Sequence, residues 1–150
     1  MSDFERFVGV WELETIEDSS DMRRLRRQPR GAFENAVGLL IYLPSGVMSV
    51  NFAGASRIHF LREFFPSPSE LAEAGAAYGG YAGRWELDEP RREILHHVET
   101  AFVPNRIGRT IRRSYTFSED LSRLFLRPVA LSPHDEAPAR ILTWRRRSAP

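Results

Sequence analysis

The chain has 150 residues, 42% of them hydrophobic and 27% charged, with a formal net charge of +1. These are the proportions of one ordinary globular domain, spanning residues 1–150; they exclude a wholly disordered chain and argue against partners chosen by bulk charge. The absence of cysteine removes disulfides, thiolate nucleophiles and thiolate metal sites together, and no apolar run approaches the roughly 20 residues of a membrane span. Residues 1–7 are acidic and polar, with no apolar leader, so a cytoplasmic location is expected.

Ten glycines and ten prolines cut the sequence into short segments, most of which alternate with period two. The first predicted strand, residues 7–16, puts Trp11, Leu13 and Thr15 on one face and Glu12 and Glu14 on the other. The arginine-rich stretch 18–31 has no period and is predicted to be a loop. Residues 37–43 and 47–52 flank Pro44-Ser45-Gly46 and read as a hairpin in which Met48, Val50 and Phe52 share a face. Ser67-Pro68-Ser69-Glu70 combines a capping serine, a proline suited to the first turn and a glutamate three residues on, so a short helix runs to about Ala77, with exit at Gly79-Gly80.

Residues 81–88 then group Tyr81, Gly83, Trp85 and Leu87. Residues 93–102 group Ile94, His96, Val98, Thr100 and Phe102, and residues 110–117 group Ile111, Arg113, Tyr115 and Phe117. Strands at 121–127 and 140–147, separated by a proline-rich loop, complete the set. Eight strands with one short helix predict an all-β fold, an up-and-down barrel closed without exposed edges.

Several of these residues resemble the bacterial and fungal lipocalin-like domain proteins, over nearly the whole chain. Gly9-Val10-Trp11 is similar to the glycine-x-tryptophan signature of lipocalins, and Gly38 to Tyr42 with Pro44, Gly46 and Met48-Ser49-Val50 is similar to the family's second and third strands. His96-His97-Val98-Glu99, Pro104-Asn105, Gly108, Arg113 with Tyr115, and Leu142-Thr143-Trp144 follow in order. The resemblance implies a lipocalin-like barrel far more firmly than it implies a reaction. Members stand alone or accompany natural-product biosynthetic enzymes, and some small barrels of this sort act as isomerases or cyclases. It also implies that Trp11 closes one barrel end against a basic residue, here Arg146 or Arg145.

The alternation places His96 and Arg113 on faces otherwise made of Ile94, Val98, Ile111 and Phe117. A buried arginine needs a partner or a ligand oxygen. Two readings stay open at this point. In one, Arg113 holds or polarises a ligand oxygen with His96 as acid or base and Tyr115 beside them, in a pocket formed by Tyr42, Met48, Val50, Tyr81, Trp85 and Asn105. In the other, His96 and Arg113 are satisfied struts of a polar core. His96 and His97 point to opposite faces, so no shared metal is expected, and no motif calls for a cofactor. The arginines at 23, 24, 26, 27 and 30 lack the interleaved aromatics of a nucleic-acid platform. The expected partner is a small hydrophobic molecule bearing oxygen, with neither nucleic acid nor membrane, and a homodimer is an assembly open to it. A cofactor-free isomerase or cyclase acting on a polyketide-like or terpenoid intermediate is the alternative.

Overall fold

The computed structural model describes residues 1–18, 33–129 and 140–148; the predicted loop through Gly31 lies outside them beyond Asp18, as does the proline-rich stretch 133–138. Eight antiparallel strands close into a barrel, each paired with its neighbour in sequence and the last with the first. They are β1 (Gly9–Asp18), β2 (Val37–Tyr42), β3 (Val47–Ala53), β4 (Tyr78–Asp88), β5 (Glu93–Ala101), β6 (Thr110–Phe117), β7 (Arg123–Pro128) and β8 (Arg140–Arg146). Closure is made by β1 and β8, with Trp11 opposite Arg146 and Leu13 opposite Trp144. The up-and-down order follows from the connections, since antiparallel neighbours need only a short turn.

Among the described residues, two α-helices accompany the barrel. The predicted one, α2 (Pro68–Ala76), carries its capping box intact: Ser67 accepts from the Glu70 amide, and the Glu70 carboxylate accepts from the Ser67 amide. Its exit differs from expectation. The chain enters β4 at Tyr78, so Gly79 and Gly80 lie inside the strand. They serve close approach: a Cβ on Gly79 would sit 2.8 Å from the Phe52 ring, and one on Gly80 2.8 Å from the Val50 carbonyl oxygen.

The other helix, α1 (Asp3–Phe7), replaces the start of the first predicted strand. Its signal is also a capping box, Ser2 with Glu5, here before a helix of only five residues. Phe7 is fully buried, and its ring meets those of Tyr42, Tyr115 and Phe117 edge-on. α1 closes the end of the barrel where the turns are short, at 43–46, 89–92 and 118–122. The longer connections, 19–36, 54–77, 102–109 and 129–139, all leave from the opposite end, the rim.

Two bulges shift the expected faces. Glu14 is an extra residue opposite β8, so Thr15 turns out to solvent and Ile16 packs on the core. Glu99 is extra opposite β4, between Val98 facing Gly83 and Thr100 facing Ala82. Thr100 and Phe102 are therefore exposed, and Ala101 takes the inward place. Period two fails at each bulge because one added residue inverts every side chain beyond it. Gly83 permits the second, since a Cβ there would lie 1.9 Å from the His97 carbonyl oxygen.

Candidate functional site

Midway along the barrel, β2, β4 and β5 bring three polar side chains together. Tyr42, Tyr81 and His96 each sit on the inward face of their strand and are buried. The Tyr42 hydroxyl lies 2.8 Å from His96 Nε2, and the Tyr81 hydroxyl 2.8 Å from Nδ1. A neutral imidazole donates at one nitrogen and accepts at the other, so one tyrosine donates to it while the other accepts from it. Burial, reinforced by the Arg113 and His97 charges, pushes the His96 pKa down to about 3. The ring is therefore neutral at ordinary pH. Burial likewise raises both tyrosines, Tyr42 the more strongly, whereas the Arg113 guanidinium draws Tyr81 back down.

On the rim side of this trio two guanidinium groups converge. Arg113, from the inward face of β6, shares the cavity with Tyr81, and its charge favours the ionised form of that hydroxyl. Arg106 reaches in from the 3₁₀ turn Pro104–Arg106 and lies over the Tyr81 ring, 6.0 Å from its centroid. Burial lowers the Arg106 pKa, Tyr81 opposes that shift, and the like charge of Arg113 adds to it. A cavity of about 30 Å³ separates these groups from apolar walls made by Leu40, Val50, Phe52, Leu126 and Leu142. His96, Arg140 and Trp144 also line it, and no described lining residue is a carboxylate. Trp144 is 1% exposed, and its indole N–H has no hydrogen-bond partner among the described residues. An unpaired buried donor beside two partly buried cations is an arrangement that an acceptor or anion would complete.

The predicted site residues thus divide. His96, Arg113, Tyr81 and Val50 line the cavity, and Tyr42 stands behind His96. Tyr115 is elsewhere: its hydroxyl donates to Asp3 Oδ2 at 2.6 Å, and Arg92 covers its ring. Trp85 stacks on Phe4 at 4.7 Å and donates to the Leu43 carbonyl, so it belongs to the α1 end. Met48 is buried outside the cavity lining, and Asn105 is exposed on its loop. Arg106, one residue beyond Asn105, is the one that turns inward; a three-residue turn offers no periodicity from which to tell the two apart. Tyr115→Phe is expected to cost about 1–2 kcal/mol of stability through the lost bond to Asp3, while leaving ligand binding at the cavity unchanged. Urea unfolding with a parallel binding titration checks both halves.

The family model for the lipocalin-like domain matches residues 8–147. The chain belongs to the lipocalin-like domain family. In this lipocalin-like domain the glycine-x-tryptophan element is Gly9-Val10-Trp11, and the basic residue on Trp11 is Arg146, its guanidinium carbon 4.1 Å from the ring centroid. No curated protein matches the chain in sequence. Among solved structures, it is similar to fatty-acid-binding protein 1 of Echinococcus granulosus, with 13% identity, a TM-score of 0.41 and coverage of 96% of this chain and 99% of that one. A Schistosoma mansoni fatty-acid-binding protein in complex with arachidonic acid shows 10% identity, a TM-score of 0.30 and coverage of 98% and 100%. No helix among the described residues is long and apolar enough to cross a membrane.

Proposed function

We propose that this lipocalin-like domain binds a small, largely apolar molecule through an oxygen-bearing, preferably anionic, head. The observation that carries this reading is that Arg113 and Arg106 line one cavity beside Tyr81, with the unpartnered Trp144 N–H on the same cavity and no described carboxylate among its lining. Two like charges held close in a partly buried place repel, and an oxygen anion between them relieves that repulsion. The cavity of about 30 Å³ holds one or two water-sized groups, which suits a head group. The apolar remainder enters as Val50, Phe52, Leu126 and Leu142 give way around it.

Binding is favoured over catalysis by the state of His96. With both nitrogens engaged and its pKa near 3, the ring is not poised to exchange protons at neutral pH. It fixes the Tyr42 and Tyr81 hydroxyls instead. The deciding experiment combines organic extraction of the purified protein, followed by mass spectrometry, with calorimetric titration of decanoate and decanol. Decanoate is expected to bind more tightly than decanol, and Arg113→Ala to weaken decanoate roughly 10- to 100-fold, the range of a hydrogen bond to a charged group. An extract without any apolar molecule, together with no heat from either titrant, would make the two arginines core struts and end this reading.

A further inference from the structure

On the barrel wall and toward the α1 end, arginines meet carboxylates: Arg145 with Glu12 at 2.9 Å, Arg123 with Glu14 at 2.8 Å, Arg91 with Asp88 at 2.8 Å. Two rim arginines lie on rings, as Arg92 and Arg146 do at the α1 end: Arg57 over Tyr78 at 5.4 Å and Arg62 over Phe65 at 5.3 Å. Both belong to the connection 54–77, which also holds Leu61, Phe64 and Phe65 at 91%, 82% and 72% exposure. Large apolar side chains held so far into water mark a contact surface when they cluster.

The segment has a defined shape. Glu70 accepts from the Leu61 and Ser67 amides, both at 2.7 Å, and Arg57 Nη2 donates to the Ala74 carbonyl oxygen at 3.3 Å. These bonds fix the base of the loop against α2 and present its apolar tip outward. The acids nearby are Glu63 and Glu73 besides Glu70, whose carboxylate is already committed to those amides.

We propose that this loop docks the domain on an anionic lipid surface, with Leu61, Phe64 and Phe65 entering the acyl boundary while Arg57 and Arg62 meet the phosphates. Aromatic and leucine side chains bordered by arginine are the chemistry of an interfacial anchor. Both arginines already rest on rings, so each can bring its charge to the headgroup level without first breaking an ion pair. A second copy fits less well, because a two-fold contact centred on this tip would set Arg57 and Arg62 against their own copies. The surface lies at the rim, where an apolar ligand would enter, yet the inference does not depend on the cavity being a binding site. It is compatible with the lack of a membrane-spanning helix among the described residues, because a docking loop needs none.

The test is co-flotation of the full chain with vesicles of phosphatidylcholine, alone or mixed with phosphatidylglycerol. The parent is expected to float with the mixed vesicles and to be released by salt. Leu61→Ser/Phe64→Ser/Phe65→Ser should bind at least about ten-fold more weakly while keeping its circular dichroism spectrum. Arg57→Glu/Arg62→Glu should lose the preference for phosphatidylglycerol, since each basic residue near such a surface contributes about five-fold. Arg113→Ala should float as the parent does, so that failure of the cavity reading and failure of this one are told apart. A parent that floats with neither vesicle, or a folded triple variant that floats equally well, overturns the proposal. So does a parent that never floats but is a dimer which the triple variant turns into monomer, which would assign the surface to self-association.

Discussion

Replacing His96 with leucine is expected to lower stability by about 2–4 kcal/mol, although leucine suits a barrel core and fills much of the same space. The loss comes from what the imidazole leaves behind. The Tyr42 hydroxyl, fully buried, loses its partner at Nε2, and Tyr81 loses its partner at Nδ1. A buried hydroxyl without a partner costs about 1–3 kcal/mol, whereas removing both members of a pair can be nearly neutral. His96→Leu/Tyr42→Phe should therefore recover at least half of what His96→Leu loses, a result visible in urea unfolding. A double variant no more stable than the single one would show that shape, and not hydrogen bonding, fixes this position.

The same residue makes stability depend on pH in a defined direction. His96 stays neutral in the folded barrel down to about pH 3, while in the unfolded chain it protonates below its ordinary value of 6.5. Between those limits the unfolded chain holds the extra proton, so acid favours unfolding. The contribution is complete above pH 6.5 and falls by about 1.4 kcal/mol for each unit below it until about pH 3. Other groups titrate there too, so the measurement is the difference in slope between parent and His96→Leu/Tyr42→Phe from pH 6 to about pH 4. Equal slopes would mean that the folded barrel takes up the proton as readily as the unfolded chain does.

The parts of this molecule that were legible in the sequence are those governed by a strict repeat or a local bond. Strand β6 places Ile111, Arg113, Tyr115 and Phe117 on one face as period two requires, and β4 does the same with Tyr81, Trp85 and Leu87. Ser67 and Glu70 announced α2 because their bonds span only three residues. Illegible were the places where one residue changes the count. Glu14 and Glu99 invert the faces beyond them, and nothing in their own chemistry marks a bulge; the need for it appears only once the partner strand is in place. The lining of the candidate cavity was legible to the same degree. His96 and Arg113 were found because a polar residue on an apolar strand face breaks a pattern. Arg106 sits in a turn with no pattern to break, and Tyr115 shares the face of Arg113 but lies nearer α1, a helix too short to show any hydrophobic period.

Arg146→Ala is expected to cost about 3–5 kcal/mol and to free α1 before the rest of the barrel unfolds. The guanidinium stacks on Trp11 and donates to three carbonyl oxygens: Val8 at 3.2 Å, Leu121 at 3.5 Å, and Arg6. These bonds tie the end of α1 to β1 and to the turn before β7. Burial lowers the Arg146 pKa, so the charge is worth keeping only while its donors are all engaged. Hydrogen bonds from a charged group contribute about 1.5–3 kcal/mol each and are not additive, and the ring contact adds about 1 kcal/mol. Lysine cannot replace the fork: one ammonium on a flexible stem cannot serve three separated carbonyls and cover a ring. Gly9 belongs to the same device, with φ at +136° and space for a Cβ only 3.2 Å from the Arg146 Nη1. Release of α1 uncovers Phe7, Trp85 and Tyr115, so binding of an apolar fluorescent dye should rise, and near-ultraviolet circular dichroism should fall, at urea concentrations where far-ultraviolet signal is unchanged. If Arg146→Lys is as stable as the parent, the fork geometry is irrelevant and the latch reduces to a single charge over Trp11.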